Sequence, residues 1–342
     1  MKKMKCIAAM IFSIFMMETS FGQDPSFSQF FSSPLNINPA LTANINADWR
    51  VISNFRDQWI GPASPYVTGT ISYDSKLLQK KTLNVSDAED HYLGIGTMLM
   101  FDNAMSGIVR STYGSLNLSY NIKLAGSGDT KHRFGVGFGA IYGRRYIDFS
   151  RLDFEEQFTG SGFNTNLPTG ESALSNMKPY ISSSAGVLYS FSTEKSNLDL
   201  GVSAFHLNRP KQTFLENQNQ RLPLRKVAHA NFETFINERV VLNLNAIYQY
   251  QEEAKYYSFG GALGYYLGDA AGSLINTGVW YWSNNALVPY VGLAYRNLQF
   301  GLSYDITVSK LREATMKPKT WEISIILRGI RRSSGVIPCP WK

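Results

Sequence analysis

From about Trp49 to about Arg328 apolar and polar residues alternate at a period of two, and no other feature restricts so tightly what this 342-residue chain can fold into. Leu242, Leu244, Ala246, Tyr248 and Tyr250 interleave with Asn243, Asn245, Ile247 and Gln249. An extended segment there carries one apolar and one mostly polar column on opposite faces. Leu116, Leu118, Tyr120 and Ile122 alternate in the same way with Asn117, Ser119 and Asn121, as do Leu298, Phe300, Leu302, Tyr304 and Ile306 with Gln299, Gly301, Ser303 and Asp305. Two architectures use such strands: a membrane barrel around a polar lumen, and a soluble sheet with one face on a core.

The start of the chain favours the membrane. Lys2, Lys3 and Lys5 precede an apolar run from Ile7 to Met17, and Ser20, Phe21 and Gly22 follow as cleavage residues. Residues 1–22 therefore read as a secretory signal peptide. That run is too short to span a bilayer as a helix, and no later stretch approaches the roughly 18 apolar residues required. Gln23 rather than a cysteine would lead the mature chain, so an N-terminal lipid anchor is not expected. Cys6 leaves with the signal and Cys339 remains alone, which excludes an intramolecular disulfide. Charged residues are 17% of the chain and aromatics 13%, against roughly 25% charged for soluble domains. Removing Lys2, Lys3, Lys5 and Glu18 from the 33 basic and 26 acidic residues leaves +5, too modest to suggest nucleic acid as a partner.

Strands are expected near 47–56, 66–75, 92–102, 109–122, 132–143, 180–192, 197–206, 225–235, 239–250, 256–267, 274–282, 287–296, 298–306 and 319–328. The fold class is thus all-β, an outer-membrane antiparallel β-barrel of about fourteen strands (range 12–16). An even number leaves both termini periplasmic. Loop lengths agree, since external loops run long and periplasmic turns short. The connections 144–179, 207–224 and 307–318 fall on the external side, and the tight turns at 236–238 and 296–297 on the other. The charged segment Lys76 to His91 is an exception, long yet periplasmic, and is a candidate partner-facing element. Phe134 with Tyr142, and Tyr257 with Tyr265, share a strand face eight residues apart. At about 3.3 Å per residue and about 40° tilt this spans some 20 Å, near the height of an apolar band.

Gly135, Gly137 and Gly139, like Gly260, Gly261 and Gly264, lie within strands and indicate bends or a crowded lumen rather than a nucleotide loop. Enzyme chemistry finds little support. His91, His132, His206 and His229 are the four histidines, none in a catalytic motif, and Ser203 beside His206 is what a serine-rich strand produces by chance. No closely spaced His/Cys cluster suggests a metal site, and the carboxylates from Asp148 to Glu156 are scattered. No cofactor is expected. Arg328, Arg331 and Arg332 end the last strand, and the tail beyond reads as either a solvated basic extension or a docking peptide.

The ends of the mature chain carry a more specific signal. Gln23-Asp24-Pro25-Ser26-Phe27-Ser28-Gln29-Phe30-Phe31 and Pro34-Leu35-Asn36-Ile37-Asn38-Pro39-Ala40 open it, followed by Arg50, by Asn54-Phe55-Arg56-Asp57-Gln58-Trp59 and by Ser72-Tyr73-Asp74. Gly301-Leu302-Ser303-Tyr304-Asp305, Ser309, Leu311, Glu322 and Cys339-Pro340-Trp341 close it. In order and position these segments resemble the PorP/SprF family of type IX secretion membrane proteins of Bacteroidota. Two places depart from the family pattern: Trp280-Tyr281-Trp282-Ser283, where an arginine is common after the aromatic pair, and Lys319-Thr320-Trp321, where a glycine pair is usual.

The resemblance implies an outer-membrane component serving type IX secretion, either beside the periplasmic ring proteins or as the dedicated partner of one exported adhesin, with a link to gliding in prospect. It is consistent with four segments: signal peptide 1–22, a non-periodic N-terminal segment 23–46, a barrel 47–328 and a periplasmic tail 329–342. Pro25, Pro34 and Pro39 make 23–46 a poor strand. Phe27, Phe30, Phe31 and Leu35 need a surface, either the protein's own lumen or a partner. The residues expected to make plug or partner contacts are Asp24, Pro25, Phe27, Gln29, Phe30, Asn38, Pro39, Arg56, Gln58, Trp59, Cys339, Pro340 and Trp341. The expected partners are secretion-machinery proteins, exported cargo and outer-membrane lipid. A porin-like channel for small or hydrophobic solutes is the alternative function, and a soluble periplasmic lectin-like protein a third.

Overall fold

The computed structural model describes residues 24–61, 64–79, 91–125, 130–170, 177–212, 221–268, 272–283, 285–313 and 315–329. The expected signal peptide, most of the 76–91 connection and the tail with Arg331, Arg332, Cys339, Pro340 and Trp341 lie outside them. The wall is built from β1 (Trp49–Ile60), β2 (Tyr66–Gln79), β3 (His91–Ala104), β4 (Val109–Ala125), β5 (Lys131–Ile147), β6 (Tyr180–Ser192), β7 (Ser196–Phe205), β8 (Arg225–Phe235), β9 (Val240–Gln251), β10 (Ala254–Tyr266), β11 (Ser273–Trp282), β12 (Ala286–Tyr295), β13 (Leu298–Tyr304), β14 (Ile306–Thr307) and β15 (Lys319–Gly329). β13 and β14 are one stave interrupted at Asp305, whose amide bonds instead to the Thr320 carbonyl at 3.0 Å.

Each stave pairs antiparallel with its sequence neighbours, and β1 pairs with β15 from Trp49↔Gly329 to Ile60↔Lys319. The result is a closed barrel of fourteen staves. Closure matters physically, because hydrocarbon offers no partner to an unpaired strand edge. Among the described residues no helix is long and apolar enough to cross a membrane.

The two columns seen in the sequence separate as expected. Leu244, Tyr248, Leu118, Tyr120, Phe138, Val291 and Phe300 face outward and exposed, while Asn243, Asn245, Gln249, Asn117, Ser119 and Gln299 are buried inside. Strand ends differ by a few residues: β1, β2 and β5 extend to Ile60, Gln79 and Ile147. Connections alternate between rims. Those from β5 to β6, β7 to β8 and β14 to β15 share one, the long-loop rim, while 193–195, 236–239 and 296–297 lie at the other, the short-turn rim. The wall enters and leaves at the short-turn rim, where Trp49 faces Gly329.

Candidate functional site in the barrel lumen

The segment before β1 has three prolines and no period, so it folds as short turns rather than as a strand. Pro34 starts a single helical turn, α1 (Pro34–Ile37), and Pro39 opens a 3-10 turn, Pro39–Leu41. Proline suits both positions, because a first-turn residue needs no N–H partner. Asn38 caps the second turn, its Oδ1 accepting from the Ala40 amide at 2.9 Å. Ala43 then takes a left-handed conformation at φ 58, a strain its surroundings must hold in place. Its amide does so by donating to Asp74 Oδ2 at 2.7 Å.

This segment runs through the lumen from one rim to the other. At the long-loop rim Asp24 meets His206 Nε2 at 2.8 Å and Arg225 Nε at 3.2 Å, and its amide donates to Gln251 Oε1 at 3.1 Å. Burial would raise the Asp24 carboxyl, but the positive field of His206 and Arg225 overrides it and holds the group well below the usual carboxylate range. The wall's two ends therefore share the short-turn rim, whereas the described start of the chain lies at the opposite rim.

Next comes a cluster on the barrel's closing seam. Arg56 on β1 and Glu322 on β15 are direct register partners. Arg56 bonds Glu322 Oε2 and Asp305 Oδ2, both at 2.8 Å, and also the Ser28 hydroxyl. Glu322 uses its two oxygens to accept the successive amides of Ser28 and Gln29, each at 2.8 Å. Gln29 is saturated, donating to Ser303 Oγ and the Glu322 carbonyl at 2.9 Å and accepting from Ser324 Oγ at 2.7 Å. The arginine also lies over the Trp282 ring, 4.8 Å from its centroid. Such a cluster tolerates burial because each charge is met by a charge or an oriented N–H.

Lower down, Asn38 donates to the Val187 carbonyl at 3.0 Å and contacts His229 Nε2 at 3.1 Å, while Ser203 Oγ donates to the Ile37 carbonyl at 2.5 Å. Near the short-turn rim Asn44 donates to Asp199 at 3.3 Å, and Asp74 receives a fork from Arg50 at 3.0 and 2.7 Å. The segment thus bonds to β1, β2, β6, β7, β8, β9, β13 and β15.

Apolar exceptions in the inward column mark where its rings settle. Phe30 and Ile37 bury against Phe205, Val227, Ile247, Trp280, Val288 and Tyr290. Phe31 packs 4.7 Å from Trp280 and edge-on to Tyr290 at 5.6 Å, and Leu35 sits with Met98 and Met100. These wall positions break the polar alternation because they face the segment rather than water. Gly137 is the clearest close approach: a Cβ there would lie 2.2 Å from the Ala40 nitrogen. The in-strand glycines read as lumen crowding are, at this position, room for the chain inside.

The predicted residues divide accordingly. Asp24, Phe27, Gln29, Phe30, Asn38, Pro39 and Arg56 lie in or face the lumen, and the Pro25 carbonyl accepts from Asn36 at 3.3 Å. Gln58 supports Arg56 through its Oε1 at 3.2 Å. Trp59 stands apart, edge-on to Tyr66 at 5.6 Å near the long-loop rim. Ser203 and His206 do not pair with each other; each holds the lumen segment, and His206 Nδ1 meets Ser182 at 2.7 Å. Sequence reasoning passed over Ser28, His206 and Arg225 as contact residues. One signal would have found the segment's place, since Pro25 to Ala47 contains no charged residue. Among the described residues no group of three or more His, Cys, Asp or Glu is arranged to hold a metal ion.

A family model described as the type IX secretion system membrane protein PorP/SprF matches residues 19–327. The chain belongs to this family. PorP/SprF proteins are outer-membrane components of type IX secretion and not an enzyme family, and the barrel agrees with an outer-membrane location. No curated protein matches the sequence. Among solved structures the CymD monoaromatic hydrocarbon channel is similar at 11% identity, with 91% of this chain and 96% of that chain covered and a TM-score of 0.50. The toluene transporter TbuX of Ralstonia pickettii is similar at 10% identity over 87% and 94%, with a TM-score of 0.49. At such identities the likeness concerns the barrel alone.

Proposed function

We propose that this PorP/SprF member acts as a sealed, membrane-fixed scaffold of the type IX machinery in the outer membrane of a Gram-negative bacterium of the Bacteroidota, reached through the signal peptide 1–22. The single observation that carries this reading is the lumen segment, bonded between Asp24 and Asn44 to β1, β2, β6, β7, β9 and β15. A channel needs a continuous water-filled path, and here that path is filled by protein. With the lumen occupied, the surfaces left for partners are the two rims. The short-turn rim, where the strands ending at Gln79 and Gly329 and starting at His91 lie, suits the periplasmic ring proteins, with the 76–91 connection and the residues Cys339, Pro340 and Trp341 as proposed contacts. The long-loop rim suits exported cargo such as an adhesin, in export, surface anchoring or gliding.

Purified barrels in planar bilayers or liposomes test the seal. Background conductance is expected for the intact chain, and porin-like steady flux would overturn the scaffold in favour of a solute channel, whose fold this barrel shares. Deleting the gene should reduce cargo in medium and on the cell surface; unchanged secretion and display would sink the type IX role.

A further inference from the structure

The outer face of the wall carries a feature that sealing and secretion leave unused. One cross-strand row reads Phe138, Ala185, Ala204, Lys226, Tyr250, Lys255 across β5 to β10. Because the staves tilt, the row is oblique to the membrane. It starts at Lys255, one residue from the long-loop end of β10, and ends at Phe138, the eighth residue of the 17 in β5. At its upper end two lysines flank a tyrosine, with Lys226 Nζ 6.0 Å from the centre of the Tyr250 ring. Lys226 and Lys255 stand two strands apart, about 9–10 Å. Below them the wall forms an outward groove of about 540 Å³, floored by Ala185, Ala204 and Ala228 between Phe138 and Tyr248.

Two cations beside hydrocarbon are costly unless their heads reach anions. Among the described residues neither lysine has a carboxylate partner, and Glu252 and Glu253 lie in the turn above. A tyrosine face between two ammonium groups suits a sugar carrying phosphate, and the apolar groove below suits an acyl chain. We propose that this row binds a phosphorylated glycolipid of the outer leaflet, its phosphate groups at Lys226 and Lys255, its sugar over Tyr250 and one acyl chain along the groove. The assignment rests on the long-loop rim facing outward, as in the proposed function.

The test is native mass spectrometry of the full barrel extracted from its own membrane, and of the purified barrel titrated with a diphosphorylated glycolipid, its dephosphorylated form and phosphatidylglycerol. The intact chain should retain the phosphorylated glycolipid. K226Q with K255Q should lower that retention about thirtyfold, as loss of two cations worth about 1 kcal/mol each at a membrane surface implies. A204L should lower retention by filling the groove without a change of charge, and E252Q with E253Q should raise it. All of these positions face outward or lie in a turn, so the lumen bonds and the seal should persist, and liposome conductance checks that separately. Equal retention by the lysine variant, equal retention of the dephosphorylated lipid, or equal retention of phosphatidylglycerol would each overturn the proposal. Failure of the seal would instead count against the scaffold.

Discussion

Residues 24–47 and the loop 148–170 are both aperiodic, yet they occupy opposite environments. The first is buried almost throughout, with Phe27, Leu35, Ala40 and Asn38 at 3% exposure or less. The second is open, with Phe158 and Phe163 more than half exposed and packed on each other at 5.2 Å across a tight turn. Aperiodicity alone therefore says only that neither stretch is wall. Charge separates them. Pro25 to Ala47 carries none, whereas Asp148, Arg151, Asp153, Glu155 and Glu156 populate the loop. A segment enclosed by protein must have its polar atoms matched one by one, and amides and hydroxyls are easier to match than charges.

Substitutions should break this contrast in a graded way. Arg56→Ala strands Glu322 and Asp305 beside each other, and losing one side of a buried ion cluster costs roughly 3–5 kcal/mol. A fall of that size is expected in urea unfolding in detergent, with conductance appearing at lower denaturant; an unshifted midpoint would mean that the seam cluster is not holding the segment. Phe30→Ala should cost about 3 kcal/mol through the cavity left against Trp280 and Val288, read in the same assay.

Asp24→Asn should cost about 1–2 kcal/mol, as removal of one charge-assisted contact does. Because the folded Asp24 lies below its unfolded value near 4, its stabilisation is full above that value and drains as pH falls toward the folded one. Stability of the intact chain should therefore drop below about pH 4 more steeply than that of Asp24→Asn, and parallel profiles would remove the His206 and Arg225 contact from the account. Smallest of all, Phe158→Ala with Phe163→Ala should shift stability by less than about 0.5 kcal/mol, while impairing cargo display if the loop touches cargo.

The wall was legible because each strand reports itself: period two assigns every side chain to lipid or lumen without knowledge of the neighbours. Even the stave count and the loop parity follow from that local rule. Ile247, Phe205 and Trp280 interrupt the inward polar column, and the reason appears only when Phe30 and Phe31 are set against them. The bond from Glu322 to Ser28 and Gln29 was out of reach for a plainer reason. Nothing in a run of turns says which of fourteen staves it will touch, although Arg56, Asp305 and Glu322 stood among the residues of the family resemblance.

The meeting of Ser28 with Glu322 joins positions 294 apart in sequence, at the seam where the first and last staves zip. A contact so distant forms late, since the ends of a long loop must first find each other. The segment before the wall therefore waits for the last stave. A truncated or stalled chain has neither β15 to shut the wall nor Glu322 to receive the two amides, so an incomplete molecule lacks both halves of its closure together. Shutting the wall and seating the first turns of the lumen segment are thereby one event, since the stave that pairs with β1 also carries the carboxylate that holds Ser28 and Gln29.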